Sequence, residues 1–544
     1  MSKKVFYISD FFVKHVLGGS ELNDDELIKI LEEGGFKTKK VQSHMVTKKI
    51  VQLNSDHLFI ISNFINLTKE CKDYISENIS YIIYEHDHKY LQNRNPALCK
   101  NFKAKSRDLR NLYFFKNALS VVCQSSLHKK IIYDNLNLNN LINFSGNLWS
   151  LGTLELIREL SKNKKSNKCS ILDSSIPHKN TRGAVLYAKN KNFEYELISD
   201  KNYRNFLGKI SQNEKFIFLP KTPETLSRIL VEARMLGCKV ITNELVGAAG
   251  ESWFGLKGEE LIDRMIEKRK EALNNIKYFY KKSRKTKPKP LISIISTFHR
   301  GEKYLNHFME NMVTQTYFNK CELVLIDAGS PGEERNIIKP YLDKYDNIAY
   351  HRLEENLRPT PCINKAIKFS KGKVLTFACI DDVKEEKCIE DLFSHLESND
   401  CSLVYGDVVE TDIENQYFKE ADLTKNTSEH SQEDFSKENM VKCLPGPMPM
   451  WYGNVHDSCG LFDDLDCNYA DDWEMWLRMT LEGYKFKKLN KKVGLYLIGG
   501  RSQKSDNIEQ RKEEAKIFFK YSQLFGKNYK KYKPYFEQFT KEEQ

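Results

Sequence analysis

Two hydropathy patterns alternate along most of the chain. Short β-branched and aromatic runs are separated by stretches whose apolar positions recur at helical spacing. Runs at 5–9, 51–53, 58–62, 79–84 and 119–123 predict strands. Residues 24–33, with Leu27, Ile28, Ile30 and Leu31 on one face before Gly34 and Gly35, predict a helix. The theme repeats with strands at 170–172, 194–198, 215–219 and 239–242 and helices at 224–236 and 258–282. It returns with strands at 291–296, 322–326, 373–378 and 402–405. Such alternation predicts α/β architecture on parallel sheets. It divides the chain into Rossmann-like halves at 1–165 and 166–280, a linker at 281–290, a further α/β domain at 291–505 and a helical tail at 506–544. The polar stretch 423–439 reads as a loop.

Composition narrows the classes. The 544 residues are 40% hydrophobic and 29% charged, enough for several cores and unlike a disordered chain. The net charge of +11 is diffuse except at 281–289, which holds six Lys or Arg residues and ends in Lys-Pro-Lys-Pro. A nucleic-acid platform would interleave aromatic with basic residues, so no nucleic-acid partner is expected. The run reads first as a solvated linker and second as a peripheral contact with anionic membrane. The 13 Cys form no C-x-x-C pair, the usage of a reduced cytoplasmic protein without zinc site or disulfide framework. The run 5–9 is too short for a signal peptide, and no stretch approaches the roughly 20 apolar residues of a membrane span.

The third domain carries the densest chemistry. Asp327 closes one predicted strand before Ala328-Gly329-Ser330, where open α/β sheets bind ligands. A second strand ends in Cys379-Ile380-Asp381-Asp382, and Asp471-Asp472 opens an aromatic helix containing Trp473 and Trp476. Carboxylates at strand ends suit a divalent ion facing a diphosphate. A separate carboxylate suits removal of a proton from an attacking hydroxyl.

Residues 290–505 resemble the family 2 glycosyltransferases, which have the GT-A fold and use nucleotide-sugar donors. The resemblance rests on Phe298-His299, Gln315-Thr316-Tyr317, Asp327 with Ser330, Asn356-Leu357, Asn364, Cys379-Ile380-Asp381 and Asp471-Asp472. It implies that Asp327, Ser330, Asn364, Asp381, Asp382 and Arg501 bind the donor. Asp381 would hold the metal, Mg²⁺ or Mn²⁺. Asp472, with Asp471 beside it, would be the general base. Trp451 and His456 would face the acceptor. Cys379 stands where the family usually has the first acidic residue of its metal motif.

Residues 1–280 resemble the retaining, GT-B-fold glycosyltransferases of family 4. Glu224 and Glu232 carry that family's spacing of two Glu residues with seven between, followed by Gly237 and a predicted strand. By this resemblance Glu224 would meet the transferred sugar and Glu232 the donor ribose. Gly18 and Gly19 would approach the diphosphate, His86 would match a His-Asp motif, and Lys179 would match a donor-site lysine. The His86/His88 pair has no evident third metal ligand nearby. The expected protein is a cytoplasmic glycosyltransferase, inverting in its C-terminal domain, with a nucleotide-sugar donor and a glycan or glycolipid acceptor. Two alternatives stay open: a second, retaining transferase in the N-terminal region, or a glycan-binding or assembly module there.

Overall fold

The strand β1 (Lys3–Ser9) is buried along its last five residues, because both of its faces are covered. It joins β2 (Phe36–Gln42), β3 (Leu58–Ile61), β4 (Tyr81–Tyr84), β5 (Ser120–Cys123) and β6 (Leu141–Asn143) in a parallel sheet of order β2-β1-β3-β4-β5-β6. A second parallel sheet holds β7 (Ser166–Leu172), β8 (Tyr195–Ile198), β9 (Asn213–Phe218) and β10 (Lys239–Thr242) in the order β10-β9-β7-β8. This is a computed structural model, and it describes residues 3–16, 18–283, 290–424, 433–498 and 507–540. Most of the basic linker, the middle of the 423–439 loop and Arg501 lie outside the described residues. No described helix is long and apolar enough to cross a membrane.

The third sheet contains β11 (Ile292–Phe298), β12 (Cys321–Asp327), β13 (Ile348–Arg352), β14 (Val374–Phe377), β15 (Val383–Lys384), β16 (Leu403–Thr411), β17 (Met450–Tyr452) and β18 (Phe486–Leu497). Its order is β13-β12-β11-β14-β17-β16-β18-β15. β11 to β14 run parallel, while β17 pairs antiparallel with both β14 and β16. The chain leaves β11 for β12 and β13 on one side, then returns to β14 on the other. That reversal opens a crevice at the C-terminal ends of β11 and β14.

The chain divides into two compact units, 1–104 with 114–287 and 105–113 with 288–544. The segment 105–113, inside a span that reads as one Rossmann-like half, belongs to the second unit. There Arg107 pairs with Asp463 at 2.5 Å, and the Asp457 carboxylate accepts the Tyr113 N–H at 2.5 Å. The tail folds as the helices Ile508–Lys520 and Gly526–Glu537 in the same unit.

Two expected elements fail and one strand goes unpredicted, each for a physical reason. Residues 51–53 belong to the helix Lys48–Leu53, which Thr47 caps through its hydroxyl. β2 escapes an apolar reading because it is a lysine-rich edge strand. The helix expected from 224 begins only at Arg228. The backbone of 224–226 instead pairs with 245–248, through the Glu224 N–H to Leu245 and the Gly247 N–H to Glu224. Glu224 and Glu232 therefore share no helix face.

Gly460 tests the packing of 105–113. Its φ of +78° lies where side chains are rarely tolerated, and an added Cβ would sit 2.1 Å from the Arg107 carbonyl oxygen. Gly460→Ala is expected to destabilise its unit by about 2–4 kcal/mol in denaturant unfolding. Gly483→Ala, at φ +87° with open space around it, isolates the conformational part and is expected to cost about 1–2 kcal/mol. Equal losses for the two would remove the contact with Arg107 as a cause.

Candidate functional site

The second unit gathers carboxylates at the ends of the strands flanking β11. In register, Phe298 of β11 lies opposite Asp327 of β12. Asp327 is 1% exposed. One carboxylate oxygen accepts the Ser330 N–H at 2.7 Å and the other the Tyr350 hydroxyl at 2.6 Å, with the Arg352 Nε at 3.7 Å. Burial and the Asp327 charge push the Tyr350 phenol up, so it remains a donor. The Ser330 hydroxyl accepts the Arg300 N–H at 2.9 Å. Asp327 and Ser330 thus form one turn at the head of the sheet, with the carboxylate oriented by this chain's own donors.

Past the end of β14, Cys379, Asp381 and Asp382 each offer a ligand atom, all within 4.8 Å of one another. Asp382 is buried: one carboxylate oxygen accepts the Leu497 N–H at 3.1 Å, and the other has no hydrogen-bond partner. Burial, then the neighbouring Asp381 charge, pushes Asp382 up to about 8. Burial also raises Asp381. A buried carboxylate oxygen without a partner, beside a second carboxylate, fits a divalent cation. The two carboxylates suit Mg²⁺ or Mn²⁺, whereas the Cys379 thiol is a softer donor.

Asp471 and Asp472 open the helix Asp471–Leu481, where the dipole favours negative charge. Asp472 accepts the Trp473 N–H at 2.7 Å and the Cys443 thiol at 3.5 Å. It lines a cavity of about 520 Å³ together with Cys443, Trp473 and residues of both tail helices. Burial, and next the Asp472 charge, holds Asp471 well above the usual carboxylate range, against a hydrogen bond from Thr360.

Three expected site residues in this unit serve packing instead. Asn364 is 3% exposed, and its amide exchanges both hydrogen bonds with the Phe462 backbone, at 2.9 and 3.1 Å. Trp451 is fully buried, and its indole N–H donates to His456 Nε2 at 3.2 Å. His456, 1% exposed, donates through Nδ1 to the Gly460 carbonyl at 2.8 Å. Both rings lie against Phe462, and Trp451 also lies against Trp476. An acceptor role for Trp451 or His456 is therefore corrected to a core role.

In the first unit, Gly19, His86, Lys179 and Glu224 line one cavity of about 570 Å³. The Lys179 ammonium meets both oxygens of Glu224 at 2.8 and 2.9 Å. His86 Nε2 lies 2.7 Å from the fully buried Asp24, which also accepts from Tyr7 at 2.8 Å and Ser62 at 2.5 Å. The other His86 nitrogen meets the Gln124 amide, whose oxygen accepts the Thr225 hydroxyl at 3.2 Å. A chain of polar contacts thus runs from Asp24 to the residue after Glu224. Gly18 is tight against Glu21, and a Cβ on Gly19 would lie 3.3 Å from Arg228.

Glu232 departs from the expected pattern. It is 3% exposed and accepts from the Trp149 indole at 2.9 Å and the Tyr203 hydroxyl at 2.7 Å. Its carboxylate is spent inside the second sheet's core and does not line the cavity. Sequence reasoning missed Asp24, Gln124 and Thr225. Asp24 had a readable signal: it is an acid three and four positions before Leu27 and Ile28, on the apolar face of its helix.

Residues 293–453 match the model of the family described as glycosyl transferase family 2. An uncharacterised glycosyltransferase of Methanocaldococcus jannaschii is 26% identical over 43% of this chain and 78% of its own length. The poly(ribitol-phosphate) beta-N-acetylglucosaminyltransferase TarP of Staphylococcus aureus is 30% identical over 21% of this chain and 35% of its own. Among solved structures, Staphylococcus aureus TarS in complex with UDP-GlcNAc is 16% identical, with a TM-score of 0.36 over 44% of this chain and 71% of that one. Within the second unit, residues 293–453 thus match glycosyl transferase family 2, and the protein is a transferase enzyme.

The acidic pair at 471 and 472 gives a pH prediction. A carboxyl raised on folding keeps its proton while the unfolded chain releases it near pH 4. Stability therefore falls as pH rises from about 4 toward the raised value. In urea unfolding between pH 5 and 7, the wild type is expected to lose about 1–2 kcal/mol more than Asp471→Asn. Parallel losses would show that Asp471 ionises normally.

Proposed function

We propose that the second unit transfers a sugar from a nucleotide-diphosphate donor to a hydroxyl of a glycan or glycolipid acceptor, with inversion. The observation that carries this reading is the Cys379, Asp381 and Asp382 cluster, with its unpartnered Asp382 oxygen, past the end of β14. Asp327 and Ser330, at the end of β12, are assigned to the nucleoside side of the donor. Arg501 keeps its donor-side assignment as a proposal from sequence alone. Asp381 and Asp382 would hold a divalent ion, whose charge, when bound, favours departure of the diphosphate.

Asp472 acts on the acceptor. It takes the hydroxyl proton as the acceptor oxygen forms its bond to the anomeric carbon. The bond from that carbon to the diphosphate oxygen breaks in the same displacement, and the electron pair leaves with the diphosphate. No covalent enzyme intermediate is needed. Burial and the Asp472 charge raise Asp471, which disfavours two negative charges together at the start of the helix.

The test is nucleotide release from UDP-, GDP-, dTDP- and CMP-sugars with Mn²⁺. One donor is expected to be turned over, with loss of release on chelation and a loss of about 100-fold or more in Asp381→Ala. Asp472→Asn is expected to lower transfer by about 10²–10⁴-fold. Release that survives both chelation and Asp381→Ala would move the chemistry out of this unit.

A second reading adds a retaining transferase in the first unit. The cavity that joins Lys179, Glu224 and His86 favours it. Glu224→Gln and Asp472→Asn would then each remove a different linkage from the product, as read by methylation analysis. Loss of the same single linkage in both would leave the first unit as a binding module.

A further inference from the structure

The cavity at Asp472 is built largely by the tail. Gln510, Arg511 and Glu514 come from one tail helix and Tyr535 and Phe536 from the other. These helices are fastened to the element that carries Asp472. Glu513 accepts the successive backbone N–H groups of Asn468, Tyr469 and Ala470 at 2.7, 2.9 and 2.8 Å, just before the helix begins. Lys520 and Tyr521 reach Glu474 on that helix at 2.8 and 2.6 Å. The Trp473 and Phe536 rings stack at 6.2 Å and 26°. The tail is therefore a fixed wall of the cavity.

The wall has a definite chemistry. Trp473, Tyr535 and Phe536 offer aromatic surface. Beside them Glu514 is held by Arg511 at 3.0 Å and by Gln510 at 2.9 Å, which leaves a planar set of donors and acceptors. Acidic and basic groups balance: Arg511 is paired with Glu514, and Lys442 with Glu433 at 3.2 Å. Aromatic faces pack on the C–H faces of a pyranose, while planar amide, carboxylate and guanidinium groups bond its hydroxyls. In the lining Asp472 and Glu514 offset Lys442 and Arg511, so the cavity offers no net charge to draw an anionic acceptor. At about 520 Å³ the cavity falls within the range of small-ligand sites.

We propose that the two tail helices form the acceptor subsite, and that its occupant is an uncharged pyranoside whose ring lies against Tyr535 and Trp473 while Arg511 and Glu514 bond its hydroxyls. This rests on Asp472 as the base. It replaces Trp451 and His456 as the residues facing the acceptor.

The test uses the full chain and two independent readouts. Saturation-transfer NMR with methyl β-glycosides of glucose, galactose, mannose and N-acetylglucosamine reads binding without turnover. Nucleotide release with the p-nitrophenyl glycosides of the same sugars reads use as acceptor. At least one neutral glycoside is expected to bind and to accelerate release. Tyr535→Ala and Arg511→Ala are expected to raise its KM about tenfold while kcat changes far less, and to weaken the NMR signal in step. Lys533→Ala, on the same helix but outside the cavity lining, should bind like wild type. Failure of every neutral glycoside to bind would overturn the proposal, as would unchanged binding in Tyr535→Ala and Arg511→Ala. Absence of metal-dependent release from any donor would instead sink the earlier reading, and the NMR arm would still decide this one.

Discussion

Three consecutive backbone N–H groups converge on the buried carboxylate of Glu513. They precede the helix that opens with Asp471 and Asp472, so they set where that helix starts. A helix N-terminus leaves unsatisfied donors, and a carboxylate is their strongest neutral-pH partner. Here the partner comes from a helix 43 to 45 residues further along the chain. The position of Asp472, the docking of the tail and the shape of the cavity between them all follow from one carboxylate. Glu474 reinforces the same joint from the other side. Burial works against its charge, but Arg478 and Lys520 hold it below the usual carboxylate range.

The third sheet then explains why the other acidic groups gather where they do. β11 is the strand from which the chain departs in both directions. The loops after β12 and β14 must therefore both end beside it. Asp327 is the last residue of β12, and the Cys379–Asp382 turn follows β14 and leads into β15. The crevice follows from topology, and the residues at its rim supply its charge.

Much of this was legible in the chain. Strands buried on both faces, such as those ending in Asp327 and near Asp381, announce themselves as continuous apolar runs, and their terminal acids stand out against them. Elements held by distant partners were not legible. β2 looks polar because it is an edge. Residues 224–226 look helical, yet their backbone groups pair with 245–248. Trp451 and His456 are expected to face the acceptor because their segment resembles the acceptor side of the family. Only the fold shows that they satisfy each other in the core. The role of Glu513 was equally hidden, since a Glu in a Lys/Glu-rich tail reads as solvated surface until its three donors are known.

The environments of the buried acids separate scaffold from chemistry. Asp327 is buried, but both of its oxygens accept from protein donors, which fixes its orientation. Glu474 and Glu513 are likewise buried and fully engaged, and they hold elements together. Asp382 is buried with one oxygen engaged and the other unpartnered, and it is pushed up to about 8. Desolvating such an oxygen without a partner is unfavourable, and a bound cation beside Asp381 would offset that penalty. Asp471 sits beside a second carboxylate: burial, and next the Asp472 charge, raises it, while Asp472 lines the cavity. The acids whose neighbours leave them unsatisfied or repelled are thus the ones at the proposed metal and base positions, whereas Glu474 and Glu513, with complete sets of donors, build the frame that holds them.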